Sequence, residues 1–387
     1  MKDKMLQEFV RVYGDSEGTN CFFAPGRVNL IGEHTDYNGG HVFPCALTIG
    51  TYAVASRRND RMMQLYSMNF ANDGVIRVSL DDMSYRPEQS WANYPIGVVK
   101  TLADAGYVVE CGMDILYNGN IPNSSGLSSS ASIEVLTAYI VKTFCNLEID
   151  LIEIARLTQR AENTFIGVNC GIMDQFAIAM GKKNHAIFLD TADLSYTYAP
   201  LELQGMKLVI ACSNKKRGLG DSKYNERRSQ CEEALRRLQT VCRISSLGEL
   251  TEAEFEQHRA VIADAVLEQR AKHAVYENQR TIQAVKALQE QNVSRFGALM
   301  NQSHISLRDD YEVTGIELDT LVEAAWEQEG VIGSRMTGAG FGGCTVSIVR
   351  DDAVAGFIEQ VGSKYQKKIG YAADFYVVEI GEGPSCI

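Results

Sequence analysis

The chain has 387 residues, of which 45% are hydrophobic and 22% are charged, a composition that is ordinary for a globular protein. Its formal net charge of −12 argues against a nucleic-acid or anionic-membrane surface, because both need a basic face, and no apolar run approaches membrane-spanning length. The ten cysteines include no CxxC pair and the start MKDKMLQEFV lacks an apolar signal core, so we expect reduced thiols in a soluble cytoplasmic protein.

The first half of the chain mixes strand-like and helix-like stretches. Hydrophobic patterning predicts strands at 21–24, 52–56, 63–67, 75–80 and 113–117, and a helix at 95–105. After a serine-rich turn, one further helix has a single apolar face with a 3.6-residue period, formed by Ile133, Leu136, Ile140, Val141 and Phe144. A second helix is predicted at 151–166, and a third begins near Gly171.

The second half follows a turn-rich region at 190–200, which we interpret as a crossing between two halves. A strand is predicted at 206–212, and residues 224–302 are predominantly helical, with many charges and no proline. The end of the chain then predicts a helix at 317–329, a glycine loop, a strand at 344–349, a helix at 353–368 and a strand at 375–380. Two closely packed α+β domains, 1–200 and 201–387, fit this order.

The segment APGRVNLIGEHTDYNGG, residues 24–40, concentrates polar side chains among glycines. Glycine permits sharp backbone turns, so these side chains can converge on one small ligand, and their mixed charge suits a polyhydroxylated one. The residues are Arg27, Asn29, Glu33, His34 and Asp36. The alternative is a plain hairpin, because Asn38-Gly39 is typical of a type I′ turn that Asp36 would merely support.

A serine-rich segment, NGNIPNSSGLSSSAS at 118–132, lies between a predicted strand and a predicted helix. The N–H groups and partial positive charge at a helix N-terminus bind phosphate, Gly126 permits close backbone approach, and serine hydroxyls add donors or a magnesium ligand. The hydroxyls belong to Ser128, Ser129, Ser130 and Ser132. There is no GxxxxGK[ST] motif, and the alternative is an ordinary N-cap, for which one serine suffices.

Two acidic residues frame the segment ENTFIGVNCGIMD. Asp174 falls in the first turn of a predicted helix, where an acid is favourable whatever its function. Glu162 lies near the end of the preceding helix, where an acid opposes the helix dipole and so asks for another explanation. Carboxylates beside a phosphate loop fit magnesium binding by one and substrate positioning or proton acceptance by the other.

Two later segments complete the pattern. The loop MTGAGFGG at 336–343 resembles a dinucleotide fingerprint, but it follows a helix and enters a strand, which is the wrong order for nicotinamide binding. A glycine loop of this kind instead permits close approach of a backbone or ligand. The segment KKRGLGDSKYNERR at 215–228 is explained mostly as a solvated basic helix start, although Tyr224 offers a phenol to a ligand.

Together these segments resemble the GHMP kinases. Three motifs of that family occur in order: PGRVNLIGEH at 25–34, GLSSSAS at 126–132 and GAGFGG at 338–343. The longer GRVNLIGEHTDYNGG, with GIMDQF at 171–176 and SKYNERR at 222–228, is similar to the galactokinase branch. The resemblance implies a two-domain α+β GHMP kinase fold, with an N-terminal domain like ribosomal protein S5 domain 2, a ferredoxin-like C-terminal domain and the active site in the cleft between them.

The resemblance also implies a function: an ATP- and Mg²⁺-dependent kinase that converts α-D-galactose to its 1-phosphate, expected to be a cytoplasmic monomer. Asp174 would act near the anomeric hydroxyl as base or orienting acceptor, with Arg27 keeping it ionised. Galactose would be held by Arg27, Glu33, His34, Asp36, Gly171, Asp174 and Tyr224. ATP phosphates would lie on Gly126, Leu127, Ser128, Ser129, Ser130, Ala131 and Ser132. Ser130 and Glu162 would bind Mg²⁺, and residues 338–343 would line the cleft.

Alternatives stay open at this point. A kinase for N-acetylgalactosamine, galacturonate or L-arabinose would have similar motifs, although Glu33 and Asp36 favour a neutral sugar over an anionic one. A catalytically silent sugar and ATP sensor is disfavoured by the uninterrupted serine loop and by the presence of Glu162 and Asp174. Asn123-Ser124-Ser125 departs from the glycine-rich approach of many relatives, which reduces backbone freedom and bears on nucleotide affinity.

Overall fold

The computed structural model describes residues 1–122, 126–201, 203–215 and 220–387. Asn123-Ser124-Ser125, which the sequence singles out, lie outside the described residues. The helices are α1 Lys2–Tyr13, α2 Asn93–Asp104, α3 Ser129–Phe144, α4 Leu151–Ala161, α5 Met173–Ala179, α6 Gly220–Leu238, α7 Glu252–His258, α8 Ala265–Gln289, α9 Val293–Asp309, α10 Gly315–Trp326 and α11 Val354–Ile369.

Thirteen strands are assigned within the same described ranges. They are β1 Asn20–Asn29, β2 His41–Val42, β3 Pro44–Arg57, β4 Met62–Ser67, β5 Ile76–Ser79, β6 Met113–Gly119, β7 His185–Asp190, β8 Tyr196–Pro200, β9 Met206–Cys212, β10 Val331–Thr337, β11 Cys344–Arg350, β12 Asp374–Val378 and β13 Ser385–Cys386. They form a six-stranded sheet of order β13-β1-β3-β6-β4-β5, a four-stranded sheet of order β10-β11-β9-β12 and a three-stranded sheet of order β2-β7-β8.

Helices α2 to α5 pack with the six-stranded sheet around one apolar core, which includes the predicted α3 residues Leu136, Ile140 and Phe144. The four-stranded sheet is buried on both faces. Along β9, Val209 and Ala211 pack toward α10 and α11, whereas Leu208 and Ile210 join the core beneath α8 and α9. This alternation is the period-2 pattern of a strand, and it explains why β9 is apolar throughout.

Most predicted elements are confirmed, with differences that have local causes. The predicted helix at 151–166 changes at Glu162 into a π-helical turn, Glu162–Ile166. Residues 190–200 are not only turns, because Tyr196–Pro200 forms β8 and pairs with β7. The glycine loop is preceded by strand β10 rather than directly by a helix. The proposed domain boundary near residue 200 falls at the end of β8, and β13 returns from the second half to pair with β1.

The cysteines differ from the expectation of ten free thiols. Cys212 and Cys344 face each other in register on β9 and β11, and their sulfur atoms are joined in a disulfide. Both are buried. The expectation is therefore wrong for this pair, whose 132-residue separation gave no spacing signal. No helix in the described part of the chain is long and apolar enough to cross a membrane.

Candidate active site

A cavity of about 590 Å³ lies where the loop after β1, the start of α3, the start of α5 and the glycine loop after β10 converge. Every residue predicted to hold the sugar lines it, and so do both predicted magnesium ligands. These residues lie between positions 27 and 224 of the sequence, and the fold brings them together around one cavity. The cavity is lined by residues of the N-terminal half together with Tyr224 and the glycine loop of the C-terminal half.

The polar loop at 30–43, which includes the short strand β2, connects β1 to β3, and these two strands pair up to Asn29 and Pro44. Within it the Asn38 amide donates to the carbonyl of His34 at 2.7 Å, and its backbone N–H donates to Thr35 at 3.0 Å. Gly39 has a positive φ of 65°, but Asn38 does not. The predicted type I′ turn is therefore wrong, since that turn needs positive φ at both central residues. The segment nevertheless connects two antiparallel strands, and its residues Glu33, His34 and Asp36 line the cavity.

Glu33 is held from the opposite half of the molecule. Its Oε1 accepts from the backbone N–H of Gly338 at 2.7 Å and from Nη1 of Arg335 at 3.3 Å. Gly338 has φ 86°, and a Cβ there would lie 2.9 Å from the carbonyl oxygen of Gly126. Glycine at this position therefore allows the two motif loops to pack directly against each other.

Asp36 lies against the backbone of Gly171, where a Cβ would come within 1.9 Å of Oδ2. Its carboxylate accepts a hydrogen bond from the backbone of Met173, at the start of α5. Burial, with the nearby carboxylates of Asp174 and Glu33, raises the pKa of Asp36 to about 7. Asp36 therefore faces the cavity rather than supporting its own turn.

Arg27 and Asp174 form the ion pair at the centre of the site. Arg27 approaches Oδ1 of Asp174 with Nη2 at 2.5 Å and Nε at 2.7 Å, and its Nη1 donates to the carbonyl of Gly126 at 2.7 Å. Ser128 donates its hydroxyl to Oδ2 of Asp174 at 2.5 Å. The Arg27 side chain is 4% exposed and that of Asp174 is 28% exposed, so only the carboxylate remains open to the cavity.

The serine loop does more than cap α3. Ser128 occupies the N-cap position with a positive φ of 61°, but its side chain makes no capping bond and instead contacts Asp174. Ser129 and Ser130 also line the cavity. This arrangement argues against the plain N-cap interpretation, because the residue in the capping position points its hydroxyl elsewhere.

Three residues of the predicted phosphate loop do not line the cavity: Leu127, Ala131 and Ser132. The Ser132 hydroxyl donates to the carbonyl of Ala24 at 3.0 Å and contacts Thr51 at 2.9 Å, and its N–H bonds to the carbonyl of Ser128. Leu127 packs in an apolar core. These side chains anchor the loop. The residues of the loop that line the cavity are Gly126, Ser128, Ser129 and Ser130.

Glu162 lies among buried polar and acidic side chains. It hydrogen-bonds to Ser130, and it accepts from the Gln175 amide at 2.6 Å, which also reaches Glu134 at 3.1 Å. Burial, with Asp174, raises the pKa of Glu162 to about 7, and burial raises that of Glu134 well above its usual range. The buried Oε1 atoms of Glu134 and Gln175 have no hydrogen-bond partner. Such a group of oxygens fits a hard divalent cation.

The structure adds one region of the cavity that the sequence motifs do not indicate. Part of the cavity lining is aromatic: the rings of Phe70 and Trp91 are stacked at 6.4 Å and 12°, and Tyr94 and Tyr117 also line the cavity. A flat apolar surface in the same cavity as a phosphate-type loop suits a planar base. The only available signal was that Trp91 is one of just two tryptophans in the chain.

Known proteins are similar to this chain in both sequence and structure. The galactokinase galactose-binding signature matches residues 7–57, and the models for the N terminal domain and C terminal region of GHMP kinases match 93–182 and 284–367. A galactokinase from Clostridium acetobutylicum is 63% identical over 364 residues, which are 94% of this chain and 94% of that protein. The chain belongs to the galactokinase family.

Solved structures agree with membership of the galactokinase family. The crystal structure of Lactococcus lactis galactokinase complexed with galactose has a TM-score of 0.98 and 48% identity, covering 100% of both chains. A mevalonate kinase has a TM-score of 0.65 at 20% identity, covering 94% of this chain and 98% of that one, which shows a shared fold. The predicted two-domain GHMP kinase fold of α+β class is confirmed, and a kinase of this family uses ATP.

Proposed function

We propose that the protein transfers the γ-phosphoryl group of ATP to the anomeric hydroxyl of α-D-galactose, giving α-D-galactose 1-phosphate and ADP. The observation that carries the proposal is the Arg27–Asp174 pair, which lies between the polar loop after β1 and the serine loop before α3. A sugar hydroxyl on one side and a phosphate on the other would meet at this pair. The near-full-length likeness to galactokinases supports the same reaction.

Galactose would occupy the part of the cavity lined by the polar loop. Glu33 has one oxygen engaged by Arg335 and Gly338, which leaves Oε2 for a sugar hydroxyl. Asp36 would accept from further hydroxyls, while its position is set by Gly171. His34 and Tyr224 line the same wall, with their rings 5.5 Å apart, and would bound the sugar laterally. Two acidic residues favour a neutral sugar over a uronate.

Asp174 would orient the reacting hydroxyl and accept its proton as the bond to phosphorus forms. Arg27 would stabilise negative charge on the transferred group, and it also fixes the Asp174 carboxylate in place. Phosphoryl transfer has a loose transition state, in which positioning and charge stabilisation matter more than proton abstraction. The Asp174 carboxylate is suited to orienting the hydroxyl, because hydrogen bonds from Arg27 and Ser128 already fix its direction.

The ATP phosphates would lie on the N-terminus of α3, where Gly126, Ser128, Ser129 and Ser130 face the cavity. Backbone N–H groups in the first turn of a helix are free to bind anions, and the helix dipole adds to the attraction. The base would lie against the aromatic part of the lining, beside Trp91. In this arrangement the serine loop would lie between the sugar and the base.

Ser130 and Glu162 would hold Mg²⁺, which neutralises phosphate charge when bound. The buried, unpartnered oxygens of Glu134 and Gln175 beside Glu162 support this assignment. Within the described ranges, no three His, Cys, Asp or Glu side chains are grouped to hold a metal alone. Mg²⁺ in kinases is commonly bound by one or two protein ligands together with the nucleotide phosphates and water, so this set is sufficient.

A panel of sugars tests the proposal. Purified protein with ATP and Mg²⁺ should release ADP with galactose, in equal amount to galactose 1-phosphate, and far less with N-acetylgalactosamine, galacturonate or L-arabinose. Release with one of those sugars in preference to galactose would redirect the assignment to that sugar. Binding of galactose without any ADP release would indicate a sensor.

We further propose that the enzyme acts as a cytoplasmic monomer. One chain supplies every proposed contact, from Arg27 to Arg335, so the site needs no second copy. ATP is the cytoplasmic phosphoryl donor, and a kinase acts where ATP is supplied. Light scattering of the purified protein should give the mass of one 42.8 kDa chain, and a dimer would contradict this proposal.

A further inference from the structure

Two free thiols lie in contact at the C-terminal end of α3. Sγ of Cys145 lies 3.7 Å from Sγ of Cys111, although the two cysteines are 34 residues apart in the sequence. Both pack in the apolar core that α2 to α5 form with the six-stranded sheet. They lie outside the cavity lining, and the proposed reaction uses neither of them. The fold therefore brings together a pair of thiols that no motif in the sequence indicates.

The two cysteines lie on segments of the chain that can adjust their positions. Cys145 is the C-cap residue of α3, and its backbone N–H donates to the carbonyl of Val141 at 2.9 Å. Cys111 lies in the irregular segment between α2 and β6. Helix ends fray, and irregular segments shift more readily than the interior of a sheet. The sulfur atoms can therefore approach from 3.7 Å to the length of a disulfide bond, about 2.0 Å.

The two thiols differ in their access to solvent. Cys111 is 7% exposed and therefore buried, whereas Cys145 is only half-buried. Burial, and then the neighbouring Cys111, raise the pKa of Cys145, and hydrogen bonds from the backbone N–H groups of Glu110 and Cys111 partly oppose this. Cys145 is therefore the thiol that a reagent in solution reaches first, and Cys111 lies behind it.

We propose that Cys111 and Cys145 form a redox site, which small disulfide compounds such as oxidised glutathione convert reversibly to a disulfide. The thiolate of Cys145 attacks one sulfur atom of the reagent, which releases one glutathione and leaves a mixed disulfide on Cys145. Sγ of Cys111 then loses its proton and attacks Sγ of Cys145, which releases the second glutathione. The protein loses two protons and two electrons, and the reagent takes them up to become two thiols.

The new bond staples α3 to the segment before β6. It closes a loop of residues 111–145, which contains β6, the serine-rich segment and α3. Closing a loop reduces the conformational freedom of the unfolded chain and so favours the folded one. The Cys212–Cys344 bond differs in access, because its cysteines are 3% and 0% exposed and exchange requires a reagent to reach a sulfur atom. The protein thus has one structural disulfide and one reversible redox site.

Peptide mapping of the full-length protein tests the proposal. The protein is treated overnight with millimolar oxidised glutathione under native conditions, its remaining thiols are alkylated, and its tryptic peptides are identified by mass spectrometry. Cleavage after Lys100, Lys142 and Arg156 places the two cysteines in different peptides. Wild type should give these two peptides joined, and dithiothreitol should separate them. Absence of the joined pair would overturn the proposal.

Single variants test the order of the two steps. In Cys111→Ser the second thiol is missing, so the mixed disulfide with glutathione should accumulate on Cys145. In Cys145→Ser the buried Cys111 should remain a free thiol. Cys242→Ser, which removes another half-buried thiol, is the matched control and should form the Cys111–Cys145 bond as wild type does. Equal uptake of glutathione by Cys111 and Cys145 in the two variants would overturn the proposed order. The map of wild type needs no variant, so it decides the proposal even where a variant does not fold.

Urea unfolding of the oxidised and reduced samples provides the second readout. Oxidised wild type should have a midpoint higher by about 1 M, because the bond closes a long loop. Cys145→Ser treated in the same way should show no shift. The Cys212–Cys344 bond is common to all samples, so a shift in wild type alone reports the new bond. An unchanged midpoint in protein whose peptide map contains the bond would overturn the stapling of α3.

Discussion

Arg335 contacts Glu33 through Nη1 and Oε1 at 3.3 Å, across 302 residues of sequence. Their side chains are 0% and 1% exposed, which makes this a buried ion pair. Arg335 also donates to the carbonyl of Asn29 at 3.0 Å and to the hydroxyl of Ser303 at 3.1 Å. The conformation of the polar loop at 30–43 therefore depends on strand β10 in the other half of the molecule.

We expect Arg335→Met to destabilise the protein by about 3–5 kcal/mol, because it leaves the carboxylate of Glu33 buried without its cation. The double variant Arg335→Met with Glu33→Gln should recover part of the loss. Urea unfolding measures both. Arg236→Met, which removes an exposed partner of Glu233, is the control and should leave the midpoint almost unchanged. A wild-type midpoint for Arg335→Met would show that the pair contributes nothing.

Gly171→Ala should weaken galactose binding without unfolding the protein. A methyl group there would lie 1.9 Å from Oδ2 of Asp36, so the carboxylate must move out of its position against the α5 N-terminus. Calorimetric titration with galactose should show at least a tenfold higher Kd, on the order of the loss of one charged hydrogen bond. Gly356→Ala, with no atom within 4 Å, is the matched control and should bind normally. Unchanged affinity in Gly171→Ala would remove Asp36 from the site.

The affinity for galactose should fall as the pH falls below about 7. Burial and two neighbouring carboxylates raise the pKa of Asp36 to about 7, so acidification protonates the free site and removes an acceptor. Because this pKa lies above the unfolded value, the contribution of Asp36 to folding stability is greatest below about pH 4. It is lost as the pH rises through 7. Calorimetry in buffers of different ionisation enthalpy should detect proton release on binding at pH 6, and no release would contradict the assignment.

The sequence predicts the parts of the site that lie within motifs, and it misses those set by long-range packing. Arg27 and Asp174 are expected because the motifs that contain them resemble those of the GHMP kinases, and the structure brings both residues into the cavity. Arg335 carries no such signal, since its partner Glu33 lies 302 residues earlier in the sequence. Ser132 shows the opposite error: its place in the serine run suggests a phosphate ligand, yet the pitch of α3 turns its hydroxyl toward Ala24. Residue patterns indicate where helices and strands lie, whereas the direction in which a given side chain points depends on how those helices and strands pack.

Glu162→Gln should increase the Mg²⁺ concentration needed for half-maximal activity by at least about tenfold. Glutamine keeps the shape of the side chain and a hydrogen bond to Ser130 but removes the charge that attracts the cation. Activity measured across a Mg²⁺ titration at fixed ATP gives the shift directly. The exposed Glu359→Gln should titrate as wild type. If Glu162→Gln did the same, the ligand assignment would be wrong.

Asp174→Asn should leave a folded protein whose kcat is lower by at least about a hundredfold, the usual effect of removing a positioned acid–base group. The amide oxygen can still accept from Arg27 or Ser128, so the loop geometry should persist and the KM for ATP should change little. The amide cannot take the proton of the attacking hydroxyl, and it no longer balances the charge of Arg27.

The control for this variant must also break a part-buried ion pair. Asp114→Asn does so, since Asp114 accepts from Arg58 at 3.0 Å on β6, outside the cavity lining. It should lower the midpoint of unfolding and leave kcat unchanged. Rapid-quench measurement of the first turnover then separates chemistry from product release. A first-turnover rate for Asp174→Asn equal to that of wild type would assign the carboxylate to fold stability and leave Arg27, the serine loop and the metal to account for the reaction.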